Sequence, residues 1–555
     1  MTVEPAASPQ RAFVGPLLVA FVALLSVVLT LDGAGDYPSL FEGPGITLDE
    51  SFNVQMGVYQ WNALCEYHIA LLHPDSVREV FGPGSNYNPD HPPLGRVWLG
   101  VWHDLTKWMF PPADHPSPFV TDCARVGSAT AFALTVFLIG LFATKWYGRT
   151  AGIVAAVSLV LMPRVFAHAH LASLETCMNL TYSAAILAVA HWWPLEFNRK
   201  RRGWIIPALT GALFGLALLT KMQAIVVPPV VGLWAIWNWR VRAIKPLVLF
   251  GLVGVAVFFV GWPWLWLDPL HNFREYFART TSRAVLNCYY LGQVWHDKDV
   301  PWHYPFVMFT VTVPVGLHAL GLCGVLGSGR AWRQPREQLL LAAVLFPLVL
   351  FAFPGVAVYD GERLFLISFP IWAVLIGRGA EVAVGFLKQK TESGQWRMLG
   401  SHRARVATVT LGLLTQSVGM IVMHPCQLSY YNLLVGGLNG ADRLGFERTY
   451  WGDSVTRSVL DLIPETPENH FVDVMPVLHQ FQLDDLMQQS PILRRKRIRL
   501  RSANFERDDK LTSGWLIGTR KADVPPDVWN ARSDGGVVRQ DVDLAVWRSE
   551  RDARK

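Results

Sequence analysis

Apolar segments long enough to cross a lipid bilayer recur along most of this chain, and they constrain its fold more than any other feature. A helix needs roughly 20 apolar residues to cross about 30 Å of hydrocarbon. Hydrophobic residues make up 51% of the 555 residues, and charged residues only 17%. The sequence therefore predicts a mainly α, polytopic membrane protein with about eleven transmembrane helices. The predicted spans are residues 13–31, 126–144, 150–166, 174–193, 204–220, 223–239, 246–267, 305–327, 338–354, 363–380 and 406–424.

The first apolar segment, residues 13–31, is predicted to be a transmembrane helix rather than a cleaved signal peptide. Its apolar run exceeds the roughly 7–15 residues of a signal-peptide core. Leu31, Asp32 and Gly33, which follow it, offer no cleavage site of the small-x-small type.

Basic residues are concentrated in loops that fall on one side of the membrane if the spans alternate. The positive-inside rule makes that side the cytoplasm. The loops 32–125, 268–304 and 355–362 and the tail from 425 then face outward. We expect a bacterial inner-membrane protein with its site on the periplasmic or extracellular side and no nucleic-acid partner. The basic residues are Arg199, Lys200, Arg201, Arg202, Arg240, Arg242, Lys245, Arg330, Arg333, Arg336, Lys388, Lys390, Arg397, Arg403 and Arg405.

The chain is predicted to consist of a transmembrane domain over residues 1–424 and a small soluble α/β domain over 425–555. In the outer loop 32–125, apolar spacing near 3.6 predicts helices over 51–72 and 94–110, the second lying flat in the interface with its three tryptophans. In the tail, predicted strands cover 471–475, 497–501, 514–519 and 543–547, and predicted helices cover 454–463 and 483–488. A basic run at 494–501 predicts a solvated face or a contact with anionic headgroups.

Four cysteines fall in the predicted outer segments: Cys65, Cys123, Cys288 and Cys426. Their compartment permits disulfides, but the sequence does not indicate a pairing.

Two adjacent carboxylates, Asp49 and Glu50, follow the first predicted span. A carboxylate close to the bilayer can act as a base toward a hydroxyl that is held beside an anionic donor. The pair can equally begin a helix, with Thr47 or Asp49 as the N-cap before Phe52. Both carboxylates are candidate catalytic residues, and the capping alternative stays open.

The segment from His91 to Arg96 contains two consecutive prolines, which fix a turn and begin the following helix. Arg96 suits a phosphate group, because a guanidinium presents a fork of donors. The alternative is a structural turn with Arg96 reaching the lipid headgroups. His91 and Arg96 are candidate substrate-binding residues.

A second group of candidate substrate-binding residues lies near predicted span ends: Arg164, His168, His170, Glu175 and Lys221. Zinc binding is not favoured, because side chains two residues apart on a helix point apart. A carboxylate at the start of a span is costly, which makes Glu175 a functional candidate. Lys221 has an equal alternative as an interfacial anchor.

A short charged turn, Tyr359 to Arg363, joins two predicted spans and supplies two further candidates. Arg363 would suit a phosphate if it shared a cavity with Asp49. Alternatively, Glu362 and Arg363 pair with each other, and an exposed pair of this kind contributes little.

Taken together, these motifs resemble the GT-C glycosyltransferases, most closely the protein O-mannosyltransferases and the aminoarabinose and related lipid-linked sugar transferases. The resemblance covers about residues 10–380. It rests on the order and common side of Asp49-Glu50, His91-Pro92-Pro93-Leu94-Gly95-Arg96, Met162-Pro163-Arg164, His168-Ala169-His170-Leu171-Ala172-Ser173-Leu174-Glu175, Leu218-Leu219-Thr220-Lys221 and Tyr359 with Glu362-Arg363-Leu364.

The resemblance implies inverting transfer of a sugar from a polyprenyl-phosphate carrier to an acceptor lipid, glycan or protein outside the membrane. It implies that Asp49 is the base, and that Arg96, Arg164 and Arg363 are partners of the carrier phosphate. This reaction requires no cofactor; a divalent metal is possible but not supported. The family usually has Asp in place of Glu175, and the tail lacks the β-trefoil of eukaryotic O-mannosyltransferases.

Two other functions compete with this one. A transporter or flippase for a lipid-linked or polar solute should show internal repeats and charges near mid-span. A non-catalytic scaffold whose tail binds a partner would not require acidic and basic groups to gather on one face. The charges in this sequence are mostly at predicted span ends, which favours the enzyme.

Overall fold

The structure, a computed structural model, describes ten segments of the chain, and most of their residues are helical. The segments are 13–110, 117–198, 203–281, 285–327, 333–393, 401–465, 470–475, 479–503, 515–518 and 535–549. The helices are α1 Val14–Val28, α2 Leu48–Tyr67, α3 Pro74–Phe81, α4 Pro93–Thr106, α5 Thr121–Tyr147, α6 Arg149–Val160, α7 Pro163–His168, α8 Leu174–Asn198, α9 Ile205–Thr220, α10 Val227–Trp239, α11 Ile244–Val260, α12 Trp264–Leu267, α13 Pro269–Thr281, α14 Tyr304–Thr312, α15 Val315–Leu326, α16 Pro335–Phe351, α17 Ser368–Glu392, α18 His402–Leu414, α19 Val418–Val422, α20 Gly437–Arg443, α21 Arg457–Leu462, α22 Gln480–Gln489 and α23 Pro491–Arg495. The strands are β1 Asn287–Tyr290, β2 Gln293–His296, β3 His470–Met475, β4 Ile498–Ser502, β5 Trp515–Gly518, β6 Gly535–Arg539 and β7 Val542–Ser549.

Several helices are long and apolar enough to cross a membrane, so the chain is a multi-pass membrane protein. In the described part of the chain, four helical segments meet this requirement: Thr121–Tyr147, Met222–Val260, Ser368–Glu392 and Arg403–Val422. Helices α14 and α15, bent by 111° where they join, would count as a fifth if they form one broken span. Helices α1, α6 and α9 are shorter apolar helices. The total of eleven spans stays a prediction.

The helices predicted within residues 32–125 are confirmed as α2 and α4, and they cross in unusually close contact. A Cβ atom added to Gly57 would lie 2.3 Å from the carbonyl oxygen of Arg96, and one added to Gly100 would lie 2.2 Å from that of Gly57. Only glycine permits so close an approach of two helices. The crossing therefore fixes the start of α4 beside the start of α2, where Asp49 lies.

Helix α4 packs against α5 through two of its three tryptophans, and its position in the membrane interface stays a prediction. The indole nitrogen of Trp98 donates to the carbonyl oxygen of Gly127 at 2.8 Å, and a Cβ on Gly127 would meet the side chain of Trp102 at 3.1 Å. Two of the three tryptophans thus pack on protein, because the small residue on α5 leaves room for them. Trp108 alone is largely exposed.

The tail contains a mixed five-stranded sheet in the order β4-β3-β5-β7-β6. Strand β3 pairs in parallel with β4 and β5, whereas β7 pairs antiparallel with β5 and β6. Strands β3, β4, β5 and β7 and helices α21 and α22 lie where the sequence predicted them. Strand β6 and the separate β1–β2 hairpin were not predicted.

The tail packs on the segment 32–110 through buried and partly buried polar contacts. The hydroxyl of Ser51 donates to Asp485 at 2.6 Å, and Arg457 forms an ion pair with Asp32 at 2.7 Å. These contacts place α22 directly against α2. No disulfide joins any of the six cysteines, all of which lie among the described residues.

Candidate active site

A cavity of about 360 Å³ opens where the first turns of α2, α4 and α8 meet the end of α9 and the turn before α17. Six of the eleven candidate residues line it: Asp49, His91, Arg96, Glu175, Lys221 and Arg363. The other lining residues are Phe52, Asn53, Asp90 and Leu174. Segments far apart in the sequence thus bring three carboxylates and three cations to one place.

Asp49 lies in the first turn of α2, but it is not the residue that caps the helix. Thr47 is the N-cap, and its backbone N–H donates to Glu50 at 2.8 Å in a capping box. Asp49 is left to face the cavity with 36% of its side chain exposed. Each carboxylate therefore fits one of the two interpretations: Glu50 belongs to the helix cap, and Asp49 faces the cavity.

Glu50 is fully buried and lies outside the cavity lining. Its two oxygens accept from Arg125 at 2.8 and 2.9 Å, and one also accepts from the backbone N–H of Ala172 at 2.7 Å. These bonds join α2, α5 and the loop before α8. The geometry thus gives Glu50 a structural role, and its predicted part in catalysis stays a prediction that these contacts do not favour.

Arg363 is the centre of the ion pairs in the cavity. Its guanidinium donates to Glu175 at 2.7 Å, to Asp360 at 3.2 Å and to Asp49. The ring of Trp451 lies against it, 4.1 Å from the guanidinium carbon to the ring centroid. Burial alone would lower the pKa of Arg363, but the surrounding carboxylates outweigh this effect and raise it well above its ordinary value. Arg363 therefore stays charged.

Lys221 shares its partner with Arg363. The ammonium donates to Oε1 of Glu175 at 2.5 Å, the same oxygen that accepts from Arg363. The other oxygen of Glu175 is buried and has no hydrogen-bond partner among the described residues. An ammonium has three donors, and within the described structure Lys221 uses one of them. Lys221 therefore retains donors for a polar ligand.

Arg96 is occupied by protein acceptors. Its Nη1 and Nη2 donate to the two oxygens of Asp90 at 2.5 and 3.0 Å. Nη1 also donates to the carbonyl oxygen of Asn88, and Nε donates to Asn53, each at 3.2 Å. The side chain is buried. These bonds hold the turn that begins α4. A phosphate contact by Arg96 would compete with this bidentate pair, so its phosphate role stays a prediction.

His91 lies in the turn that Arg96 holds. Burial disfavours the charged imidazolium more strongly than the carboxylate of Asp90 favours it, and lowers the pKa of His91 to about 4. The ring is therefore neutral near pH 7, with one nitrogen able to donate and the other able to accept. Such a group suits a hydroxyl of an uncharged part of a substrate.

Arg164 and Glu362 form a second cluster beside the cavity. Arg164 pairs with Glu362 at 2.6 Å and donates to the carbonyl oxygen of Tyr430 at 3.0 Å. Glu362 thus pairs with Arg164, and not with its neighbour Arg363 as the alternative proposed. Both Arg164 and Glu362 are buried, and this cluster fixes the turn that carries Arg363.

His168 and His170 are buried and face different surroundings. His170 shares a hydrogen bond with the hydroxyl of Thr30 at 2.8 Å and another with the carbonyl oxygen of Phe166 at 2.9 Å. His168 lies 3.9 Å from Glu362, and its ring nitrogens have no hydrogen bond in the described structure. Burial lowers the pKa of each histidine to about 3. Neither histidine lines the cavity.

Comparisons with known proteins agree with this architecture. Residues 119–266 match the family model for dolichyl-phosphate-mannose-protein mannosyltransferases. The fold is similar to the crystal structure of ArnT from Cupriavidus metallidurans in the apo state, with 14% identity over 96% of this chain and 97% of that chain and a TM-score of 0.50. The chain has the GT-C glycosyltransferase fold.

A second GT-C structure is similar over a comparable length. It is the archaeal oligosaccharyltransferase AglB from Archaeoglobus fulgidus, with 11% identity over 92% of this chain and 69% of that chain and a TM-score of 0.50. A search of curated proteins finds no match to the chain. The resemblance inferred from the motifs is therefore confirmed at the level of the GT-C fold.

The family match covers only part of the candidate site in this GT-C fold. Glu175 and Lys221 lie within residues 119–266. Asp49, the turn of His91 and Arg96, and Arg363 lie outside that range and join the site only through the tertiary structure. In the described residues, no group of three or more His, Cys, Asp or Glu side chains is placed to hold a metal ion.

Several residues of the site were not among the sequence candidates. Phe52 and Asn53 lie three and four residues after Asp49, so the helical period alone places them on the same face of α2. Asp90 precedes His91 directly, which is a weaker local signal. Trp451 comes from the tail, and no pattern in the sequence connects it with Arg363.

Proposed function

We propose that this chain is a membrane glycosyltransferase that moves a sugar from a polyprenyl-phosphate carrier to an acceptor on the non-cytoplasmic side, with inversion. The GT-C fold supports this class of reaction. The similar AglB structure was solved in complex with an inhibitory peptide and a dolichol-phosphate. The family that matches residues 119–266 is named for a dolichyl-phosphate-mannose donor.

One observation carries the proposal: the two exposed carboxylates of the cavity differ in their pairing. Both oxygens of Asp90 are bound to Arg96. Asp49 uses only Oδ2, which accepts from Arg363, so among the described residues its Oδ1 has no partner. A general base needs a carboxylate oxygen that an acceptor hydroxyl can reach. Asp49 meets this requirement, and Asp90 does not.

The cations around Asp49 suit the leaving group. A guanidinium has five donors, of which Arg363 uses three in the described structure. Lys221 uses one of its three. The unused donors of these two side chains can bind the carrier phosphate and stabilise the negative charge that it acquires as the glycosidic bond breaks. Glu175 holds both cations in place through a single oxygen.

The proposed reaction is a single displacement at the anomeric carbon. The acceptor hydroxyl attacks from the face opposite the carrier phosphate, which inverts the configuration. Asp49 takes the hydroxyl proton as the new bond forms, and the carrier phosphate departs with the electron pair of the broken bond. Before the donor binds, Arg363 pairs with Asp49; a phosphate that draws Arg363 toward itself leaves the carboxylate available to the acceptor.

The outward orientation rests on the charge bias of the sequence. Basic residues are concentrated in the loops on the side opposite the cavity segments, which the positive-inside rule assigns to the cytoplasm. Asp49, Glu175 and Arg363 would then meet both the donor headgroup and the acceptor at the outer surface.

The test is Asp49→Asn in purified protein that is supplied with a polyprenyl-phosphate sugar and an acceptor extract. The amide cannot take a proton, so transfer should be lost while the thermal unfolding midpoint is unchanged. Asp75→Asn is the matched control, because Asp75 is an exposed aspartate of the same outer loop, with 78% of its side chain accessible. Full transfer by Asp49→Asn would remove Asp49 from the mechanism.

A further inference from the structure

A second cavity lies in the tail, along the edge strand β4. It encloses about 910 Å³ of open space and is separate from the cavity around Asp49. It is lined by Phe471, Gln480, Asp484, Met487, Leu493, Arg494, Arg497, Ile498, Arg499 and Leu500. We call this cavity the arginine groove.

The charge of the arginine groove is strongly biased. Arg494, Arg497 and Arg499 face a single acid, Asp484. Asp484 is already engaged, because its carboxylate accepts from Gln480 at 2.9 Å. The lining of the groove therefore carries more positive than negative charge.

Arg499 is the residue best placed to bind an anion. It is exposed on β4, and its side chain makes no hydrogen bond or ion pair within the described part of the chain. Its neighbour in the parallel register is Phe471, an aromatic residue with 46% of its surface exposed. A planar guanidinium beside an exposed ring suits a ligand that carries both an anionic group and an apolar face.

The edge strand β4 is not free to pair with an added peptide strand. The backbone N–H of Leu500 donates to the sulfur of Met487 at 3.0 Å, and its carbonyl oxygen accepts from Gln480 at 3.0 Å. These side chains of α22 occupy the backbone groups through which a strand would pair. Recognition in the groove must therefore come from side chains.

Helix α22 connects the arginine groove to the candidate active site. Gln480, Asp484 and Met487 line the groove, whereas Phe481 and Asp485 contact α2. The ring of Phe481 lies 4.5 Å from that of Phe52, which lines the cavity around Asp49. The two cavities are thus separated by about one helix diameter, roughly 10–12 Å.

We propose that the arginine groove binds a phosphate or carboxylate group of the acceptor and directs the hydroxyl end of the acceptor toward Asp49. That the bound molecule is the acceptor rests on the proposed function, whereas binding of an anion in the groove does not. The groove is concave and carries an acid on one wall, which suits a discrete anionic saccharide better than a flat membrane surface. An anionic lipid headgroup offers the same chemistry and is the alternative to exclude.

The experiment measures fluorescence anisotropy of a labelled trisaccharide, with and without a terminal phosphate, on the full-length protein in a neutral detergent. The phosphorylated probe should bind about tenfold more tightly, since charge-assisted hydrogen bonds to arginine are among the strong ones. Arg499→Gln should weaken its binding about tenfold at an unchanged thermal midpoint. Arg495→Gln is the matched control: Arg495 is an exposed arginine of the same basic run outside the groove, and its change should leave binding unaltered.

Three results would overturn the proposal. The first two are equal binding of the two probes, and equal losses of probe affinity in Arg499→Gln and Arg495→Gln. The third is loss of probe binding in nanodiscs of phosphatidylglycerol but not in nanodiscs of phosphatidylcholine. The last would assign the groove to lipid headgroups. Asp49→Asn separates this inference from the proposed function, because it should abolish transfer and keep probe binding. Transfer that persists in Asp49→Asn would contradict the proposed function and leave the groove result standing.

Discussion

Asp49 and Glu50 are adjacent carboxylates in one helical turn, yet each pairs with an arginine in a different environment. The Arg125 cluster, which contains Glu50, satisfies all five guanidinium donors, with two bonds to Glu50 and three to the carbonyl oxygens of Leu31, Pro44 and Gly45. It is fully buried.

The Arg363 network, which contains Asp49, Glu175 and Lys221, is incomplete by comparison. In the described structure, donors of Arg363 and Lys221 and one oxygen each of Asp49 and Glu175 have no partner. Buried polar groups normally have hydrogen-bond partners. The two networks therefore differ because only the Arg363 network leaves donors and acceptors without partners, and it does so at a cavity. The difference supports the proposal that the Arg363 network binds a ligand, whereas the Arg125 cluster stabilises the fold.

The largest expected effect tests the difference between the two carboxylates. Asp49→Asn should reduce turnover by about 10²–10⁴-fold, the usual contribution of general base catalysis, with no loss of stability. Glu50→Gln should lower the thermal midpoint, because it breaks the ion pair with Arg125. Turnover with a polyprenyl-phosphate sugar and thermal unfolding would be measured on both. A stable, inactive Glu50→Gln protein would contradict the assignment of Glu50.

The next effect concerns the Arg125 cluster alone. Arg125→Ala leaves the carboxylate of Glu50 buried without its partner and should lower the free energy of unfolding by about 3–5 kcal/mol. Arg149→Ala, at an exposed arginine, should change it by less than about 0.5 kcal/mol. Thermal unfolding in detergent measures both. Equal midpoints for the two variants would show that the cluster is not structural.

A smaller effect is expected at Lys221, because Arg363 remains to bind the phosphate. Lys221→Met removes the charge at similar length and should reduce kcat/KM by about 10–100-fold, the value of one charge-assisted contact. Since Glu175 keeps its bond from Arg363, the thermal midpoint should move little. Lys107→Met, at a half-exposed lysine of the outer loop, is the control. A kcat/KM unchanged in Lys221→Met would exclude Lys221 from donor binding.

The smallest effect is a dependence of stability on pH. The pKa of His91 falls from an ordinary 6.5 to about 4 in the folded protein, so between these values the unfolded chain binds the extra proton. Stability is therefore complete above pH 6.5 and declines as the pH falls toward 4. Gln at position 91 cannot titrate, and His91→Gln should reduce the decline in thermal midpoint between neutral pH and roughly pH 5. His168 and His170 act in the same direction, so part of the decline should remain in His91→Gln. A decline equal to that of the unchanged protein would refute the lowered pKa of His91.

Local patterns in the sequence predicted much of the fold and half of the site. The capping box formed by Thr47 and Glu50, the prolines before α4 and the apolar alternation of β3 and β4 are signals within a few residues. Strand β6 was missed because it begins with two glycines, which weaken a strand pattern. The hairpin of β1 and β2 was missed because each strand has only four residues.

The partners of the charged residues could not be predicted from local sequence patterns. Arg363 and Asp49 are 314 positions apart, and Arg125 and Glu50 are 75 apart. A sequence shows that both arginines exist, but the choice between a structural and a ligand-binding carboxylate depends on which groups the tertiary structure leaves unsatisfied. That is why Asp49 and Glu50 were predicted together and are separated only by their contacts.

The contact between Trp451 and Arg363 bears on how this protein can be cut and recombined. Trp451 also donates to Asp360 at 3.2 Å, so the tail supports both Arg363 and the turn that holds it. A boundary after residue 424 separates this support from the candidate active site. A chimera that exchanges tails between GT-C proteins should therefore be joined beyond α21, so that Trp451 stays with the candidate active site that it supports.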